Sequence, residues 1–207
     1  MYKKLSLLLF SFAICSSAFA LKAVDAFVGG DKLFFPTIDY MTRLDMVDYF
    51  ESGSPKASLN SFEEDARVVQ LSDDMVTVTQ GDILTTSFVI LPYGKKQIVM
   101  VINTFAANPS DSQIKFYDDN LDELTADKFL KQMKLEDWVG KLSKAERIDM
   151  ENALPFMTAT ASYDPATLTL TLTPTVVSML DEPAKKVVEP KLAKSVTYKW
   201  NGKKFTR

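Results

Sequence analysis

The chain contains no histidine and a single cysteine. A Ser-His-Asp triad, a Cys-His pair and the usual zinc sites all need imidazole or thiolate, whose protons or lone pairs become available near neutral pH. Those chemistries are excluded. Proline and glycine together make up only 16 of 207 residues, against a collagen-like or low-complexity chain. A Walker loop and a G-x-G-x-x-G are missing too, which removes two common phosphate cradles. No apolar run reaches the about 20 residues that a membrane-spanning helix needs. What is present, 46% hydrophobic and 25% charged residues with no polar linker, fits one globular domain.

The first twenty residues read as an export address. Lys3 and Lys4 precede the apolar run from Leu5 to Cys15, which ends in small residues with Ala18 and Ala20 at the A-x-A positions. That is the layout of a secretory signal peptide, cleaved after Ala20. Lipoprotein processing at Cys15 is disfavoured, because Ile14 stands where that enzyme wants a small side chain. Residues 1–20 are therefore expected to leave, and 21–207 to form a single α+β domain, periplasmic or secreted. The mature 187 residues would hold neither Cys nor His, and so would rely on their core rather than on disulfides.

Charge is uneven. The whole chain has a net charge of −3, but the stretch 183–207 is +7 with Glu189 its only acid, and residues 21–182 are −12. Such asymmetry marks a surface for anionic material, or a tail lying against the acidic body of the same domain. The export signal argues against nucleic acid.

Along the mature chain, segment 34–53 predicts a short amphipathic helix with Leu44, Val47 and Phe50 on one face, a Thr42/Asp45 cap and Gly53 as its stop. From Ala66 the period becomes two. Runs at 68–71, 75–79, 83–91, 97–105 and 113–117, separated by polar turns, predict an antiparallel meander. A helical block follows: Phe129, Leu130 and Met133 share a face, as do Leu135, Trp138 and Val139, and Ser143 with Glu146 caps a helix ending at Pro155. Runs 157–163 and 167–173 predict two strands flanking Asp164-Pro165-Ala166, and the second alternates leucine with threonine, so its leucines face a core and its threonines face water. Pro183 opens a short helix that Pro190 stops. Asn201-Gly202 then predicts a hairpin pairing Tyr198 with Phe205 and Trp200 with Lys203.

Four features bear on chemistry. Asp118, Asn120 and Asp122 match the first three ligand positions of a calcium-binding EF-hand loop. Glu123 stands where glycine makes the turn, however, and Phe129 where a bidentate glutamate closes the shell, so a polar turn is the simpler reading. Ser112-x-x-Lys115 has the spacing of a lysine-activated serine, but on a strand an offset of three points the side chains to opposite faces. Paired carboxylates at Asp73-Asp74, Asp45/Asp48 and Glu63-Glu64-Asp65 keep a glycosidase-like hydrolase formally open. The threonine face of Thr167, Thr169, Thr171 and Thr173, extended by Thr158, Thr160 and Ser162, reads as a solvent face.

Four stretches, taken in order, carry a resemblance. They are Arg43 to Ser52, Leu71 to Asp74, Val99 to Phe105 running on to Lys115-Phe116-Tyr117-Asp118, and Tyr198 to Lys203. Together they resemble the uncharacterised exported proteins of Bacteroidales that share domain of unknown function 3256. The resemblance implies export and carries over no active-site residue.

The resulting expectation is an exported, non-catalytic binding or interaction module of the cell envelope. Its contact surface would be the basic terminal hairpin, Tyr198, Trp200, Lys203 and Lys204, and its partner an envelope protein or anionic polymer. No cofactor is expected, and the oligomeric state is left open. The alternative is a carboxylate-dependent hydrolase acting on an extracytoplasmic polymer.

Overall fold

The computed structural model describes residues 21–30 and 36–207. The anticipated leader, with Cys15 and the cleavage alanines Ala18 and Ala20, lies outside the described residues. The chain opens with helices α1 (Ala23–Gly29) and α2 (Tyr40–Glu51), then a run of strands. These are β1 (Ser58–Leu59), β2 (Asp65–Leu71), β3 (Met75–Gln80), β4 (Leu84–Tyr93), β5 (Lys96–Phe105), β6 (Asp111–Tyr117) and β7 (Glu123–Leu124). A 3-10 turn, Ala126–Lys128, leads to α3 (Leu135–Val139) and α4 (Lys144–Ala153). Then come β8 (Ala159–Asp164), β9 (Thr169–Pro174), a second 3-10 turn, α5 (Glu182–Val188), and the closing strands β10 (Val196–Trp200) and β11 (Phe205–Thr206). The fold is α+β, as the sequence pattern requires.

Strands β1 to β7 make one seven-stranded sheet in chain order, a pure antiparallel meander, and β11-β10-β9-β8 make a second. The seven-stranded sheet is buried on both faces. One face, through Val76, Val78, Phe88, Val99 and Val101, packs under α1 and α2, with Phe27 and Phe88 ring to ring at 5.8 Å. The other face, through Val89, Leu91, Met100 and Phe116, meets Leu170, Leu172, Trp200 and Phe205 of the four-stranded sheet. The layers are thus helix, sheet, sheet. A smaller apolar cluster, Met150, Leu154, Val176 and Val188, holds α4 against α5.

The outermost strands are short or blunted. β1, β7 and β11 have two residues each. On β8, the N–H of Ala159 donates to Asp111 Oδ1 at 3.0 Å and that of Ala161 to Ser112 Oγ at 2.9 Å. Side chains of β6 thereby occupy donors that another strand would take.

Several expectations about elements need correction. Helix α2 starts earlier than its predicted Thr42 cap: Asp39 is the cap, its carboxylate accepting from the Thr42 amide at 2.8 Å. Aspartate is as good a cap as threonine, and here it lies one turn upstream. Packed against α1 and the sheet, the helix turns Arg43, Met46 and Val47 inward and leaves Phe50 exposed. Phe129, Leu130 and Met133 are not helical. The Phe129 carbonyl accepts instead from the Phe205 amide at 2.8 Å, and its ring packs on Phe116 at 5.0 Å. Tertiary packing overrides a local helical pattern there. Leu168 lies before β9 in the left-handed region, φ +56°. In the terminal hairpin Trp200 faces Phe205 and Lys199 faces Thr206, a register different from the one expected. Asn201 sits before the turn rather than inside it, its side-chain oxygen accepting from the amides of Lys203 and Lys204. Gly202, at φ +85°, takes the backbone conformation that turn demands.

Candidate functional site

The terminal hairpin forms one wall of a groove of about 500 Å³; the other wall is the chain from Asp127 to Asp137. Tyr198 is brought there by β10: it shares the inward face with Val196 and Trp200, but β11 pairs only Lys199 and Trp200, so Tyr198 stays half-covered. Burial, with Asp137 adding to it, pushes its phenol pKa up. Lys204 follows from the hairpin turn. Opposite stand Lys128, Lys131 and Lys134, all exposed.

Arg207 closes one end. Its guanidinium donates to the Asp137 carboxylate at 3.2 Å and to the Asp137 carbonyl at 2.7 Å, tying the hairpin to α3. That pair largely cancels its own charge. Among the described residues no carboxylate comes within ion-pair distance of Lys128, Lys131, Lys134 or Lys204, which leaves the groove cationic with Asp127 as its only other acid.

The expected contact residues therefore part company. Tyr198 and Lys204 line the groove, while Lys203 is exposed at the hairpin tip and does not line it. Trp200 is in the core, 2% exposed, its indole N–H donating to the Pro92 carbonyl at 2.7 Å. An alternating strand places Trp200 on the face that meets the larger sheet, so it is an anchor and not a surface. The three lysines of the opposite wall were missed in the sequence, although their spacing of three at 128, 131 and 134 is visible there.

The other tail charges divide. Lys185 pairs with Glu182, Lys191 with Glu146 and Arg207 with Asp137, so part of the tail does lie against acids of the same chain.

A family profile described as protein of unknown function (DUF3256) matches residues 15–205. The chain belongs to the DUF3256 family. A solved domain of an uncharacterized protein from Porphyromonas gingivalis W83 superposes on this DUF3256 chain with a TM-score of 0.74 at 19% identity, covering 88% of this chain and 96% of that one. At that identity the likeness speaks for the fold alone. A comparison with curated proteins finds no match.

The remaining sequence features of this DUF3256 chain take structural places. Asp118, Asn120 and Asp122 form the β6–β7 turn, where the Asp118 carboxylate accepts from the amides of Asn120 and Asp122, both at 2.9 Å. Among the described residues no group of three or more His, Cys, Asp or Glu side chains is placed to hold a metal ion. Ser112 bonds to Thr104 at 2.7 Å while Lys115 pairs with Glu123 at 3.0 Å, so the two are not together. The threonine face is a cross-strand ladder, Thr160 opposite Thr173 and Ser162 opposite Thr171, with Thr197 beyond on β10. Thr167 is in the preceding turn, donating to Asp164.

Acid–base work by carboxylates needs one of them raised by burial or by a like charge. Among the described residues no Asp or Glu is buried. The carboxyls that are clearly displaced are all displaced downward. Asp39 is lowered by the Thr42 amide, Glu136 by Arg147, Asp164 by the Thr167 hydroxyl, and Glu146 to about 2 by Lys191 and Ser143. The geometry gives no support to the hydrolase alternative.

Proposed function

We propose that this chain is an exported, non-catalytic binding module of the cell envelope whose cationic groove takes an anionic polymer, one bearing carboxylate or phosphate groups. The observation that carries this reading is the placing of Lys128, Lys131, Lys134 and Lys204, unpaired by carboxylates, around one concave surface with an aromatic side chain, Tyr198. Surface lysines that serve only solubility are scattered and often paired with acids, as Lys115 and Lys185 are here. Four convergent unpaired ones add their fields and attract a polyanion at a distance set by salt, about 10 Å at 0.1 M. Tyr198 adds a flat apolar surface with a hydroxyl at its edge, suited to stacking on a sugar ring. Export rests on the Lys3-Lys4, apolar-run and Ala18-x-Ala20 layout of the first twenty residues.

The test is binding of the exported protein to immobilised acidic polysaccharide from the envelope, across a salt series. Replacing Lys128, Lys131 and Lys204 together with glutamate should weaken binding at least tenfold near 0.1 M salt and flatten its salt dependence. Equal binding by the triple variant and the parent, at every salt concentration, removes the groove from the function.

A further inference from the structure

The bond that the sequence marks for cleavage, Ala20–Leu21, adjoins a residue that the fold holds in place. The backbone N–H of Leu21 donates to the side-chain oxygen of Gln97 on β5 at 2.8 Å, a contact between positions 76 apart. The residues that follow are seated as firmly. Lys22 pairs with Asp73 at 3.0 Å, and the Ala23 amide donates to the Asp73 carbonyl at 2.9 Å. Ala23, Ala26 and Phe27 have no exposed surface, Phe27 filling the core between α1 and the sheet.

This arrangement is incompatible with proteolysis at the marked bond. A protease takes its substrate as an accessible, extended segment on both sides of the scissile bond. With Leu21 bonded to Gln97 and Ala23 buried, that extension is lost. Cleavage must then precede the seating of α1. Hydrolysis consumes one water: the Ala20–Leu21 C–N bond breaks, the hydroxyl joins the Ala20 carbonyl carbon, and the hydrogen goes to the Leu21 nitrogen. At neutral pH the new acid gives up its proton and the new amine takes one. The neutral amide donor to Gln97 has become an α-ammonium, and a charge-assisted hydrogen bond is stronger than a neutral one.

We propose that Gln97 is the receptor for the N-terminal ammonium created by leader removal, so that processing strengthens the hold of the chain's start on the sheet. The inference rests on the exported reading and extends it to what cleavage leaves behind, a Leu21 α-ammonium held by Gln97 at the start of α1.

The experiment expresses the full chain with its own leader in a bacterial host competent for export, and recovers the exported product. Intact mass and N-terminal sequencing give its first residue, and an amine-specific reagent is then followed at the α-amine by peptide mapping. An α-ammonium ordinarily titrates near about pH 8, so its docking shows as slowed labelling around neutrality. The expected result is a product starting at Leu21, whose α-amine reacts about tenfold faster in Gln97→Ala and more slowly still in Gln97→Glu. The tenfold figure corresponds to a hydrogen bond involving one charged partner. Gln97→Glu supplies a carboxylate for the same contact and guards against a misfolded alanine variant. A product starting at another residue overturns the assigned cleavage site and with it the inference. A product starting at Leu21 whose labelling rate is the same in all three proteins overturns the docking alone, leaving the export reading intact.

Discussion

Two buried aromatic residues of the four-stranded sheet carry a polar atom each and spend it differently. Trp200 gives its indole N–H to the Pro92 carbonyl, which ties the hairpin to the end of β4. The Tyr163 hydroxyl is buried and finds no protein partner, and burial pushes its pKa up to about 12. Trp200→Phe should therefore lose a hydrogen bond and part of a well-packed ring, costing about 1 to 3 kcal/mol. Tyr163→Phe removes an unsatisfied group and keeps the ring, so its stability should stay within about 0.5 kcal/mol of the parent or rise. Urea unfolding of both variants separates these outcomes; equal losses would show that the hydroxyl is satisfied after all. Arg43 makes a third case. It is 5% exposed, and its guanidinium donates to the carbonyls of Val28 and Ile38. Its burial was not legible in the sequence, where an arginine on an amphipathic helix reads as solvent-facing: what draws it inward is a pair of backbone carbonyls brought close by the α1–α2 packing.

Among elements, α4 shows how a cap reaches beyond its own helix. Ser143 and Glu146 form the reciprocal capping box that their spacing announces, and Glu146 also pairs with Lys191 from beyond α5. A carboxyl held at about 2 contributes stability that is complete above its unfolded-state value, near 4.3, and is lost as pH falls towards 2. Thermal melts recorded between pH 5 and pH 2 should thus show a shallower loss of Tm in Glu146→Gln than in the parent. Unchanged steepness would mean that Glu146 is not among the groups driving acid unfolding. Elements whose signals are local were the legible ones: this capping box, the Pro183 helix start and the strand periods of the meander. The hairpin register was misread because Asn201 uses its side chain to cap the turn from outside it, and a dipeptide signal cannot tell that position from the next. The basic groove was half-legible for a related reason. Its hairpin wall is one segment of sequence, but the lysines at 128, 131 and 134 join it only through the seating of Phe129 against Trp200.

At the scale of the whole molecule, the seven-stranded sheet belongs to two cores at once. On β4, Phe88 and Ile90 face the helices while Val89 and Leu91 face the smaller sheet, and β5 divides its residues in the same way. Neither core can dissolve without unsettling the strands that support the other, so the described fold should unfold as one cooperative unit. Both tryptophans, Trp138 and Trp200, sit in the core between the sheets. Tryptophan fluorescence therefore reports that layer, whereas far-ultraviolet circular dichroism reports all of them. Coincident urea transitions by the two probes are expected, and a fluorescence transition displaced from the dichroism one would show that the helix layer melts separately.

The blunted rims of the two sheets bear on life at high concentration. A protein at high concentration meets its own copies often, and an uncapped flat strand is a template on which copies can stack. Here the outermost strands are too brief to nucleate a partner, or, on β8, already have donors at Ala159 and Ala161 taken by Asp111 and Ser112. Those two side chains leave β8 fewer free donors for a strand from another copy. Their loss would be felt less in the folding equilibrium than in the shelf life of concentrated protein.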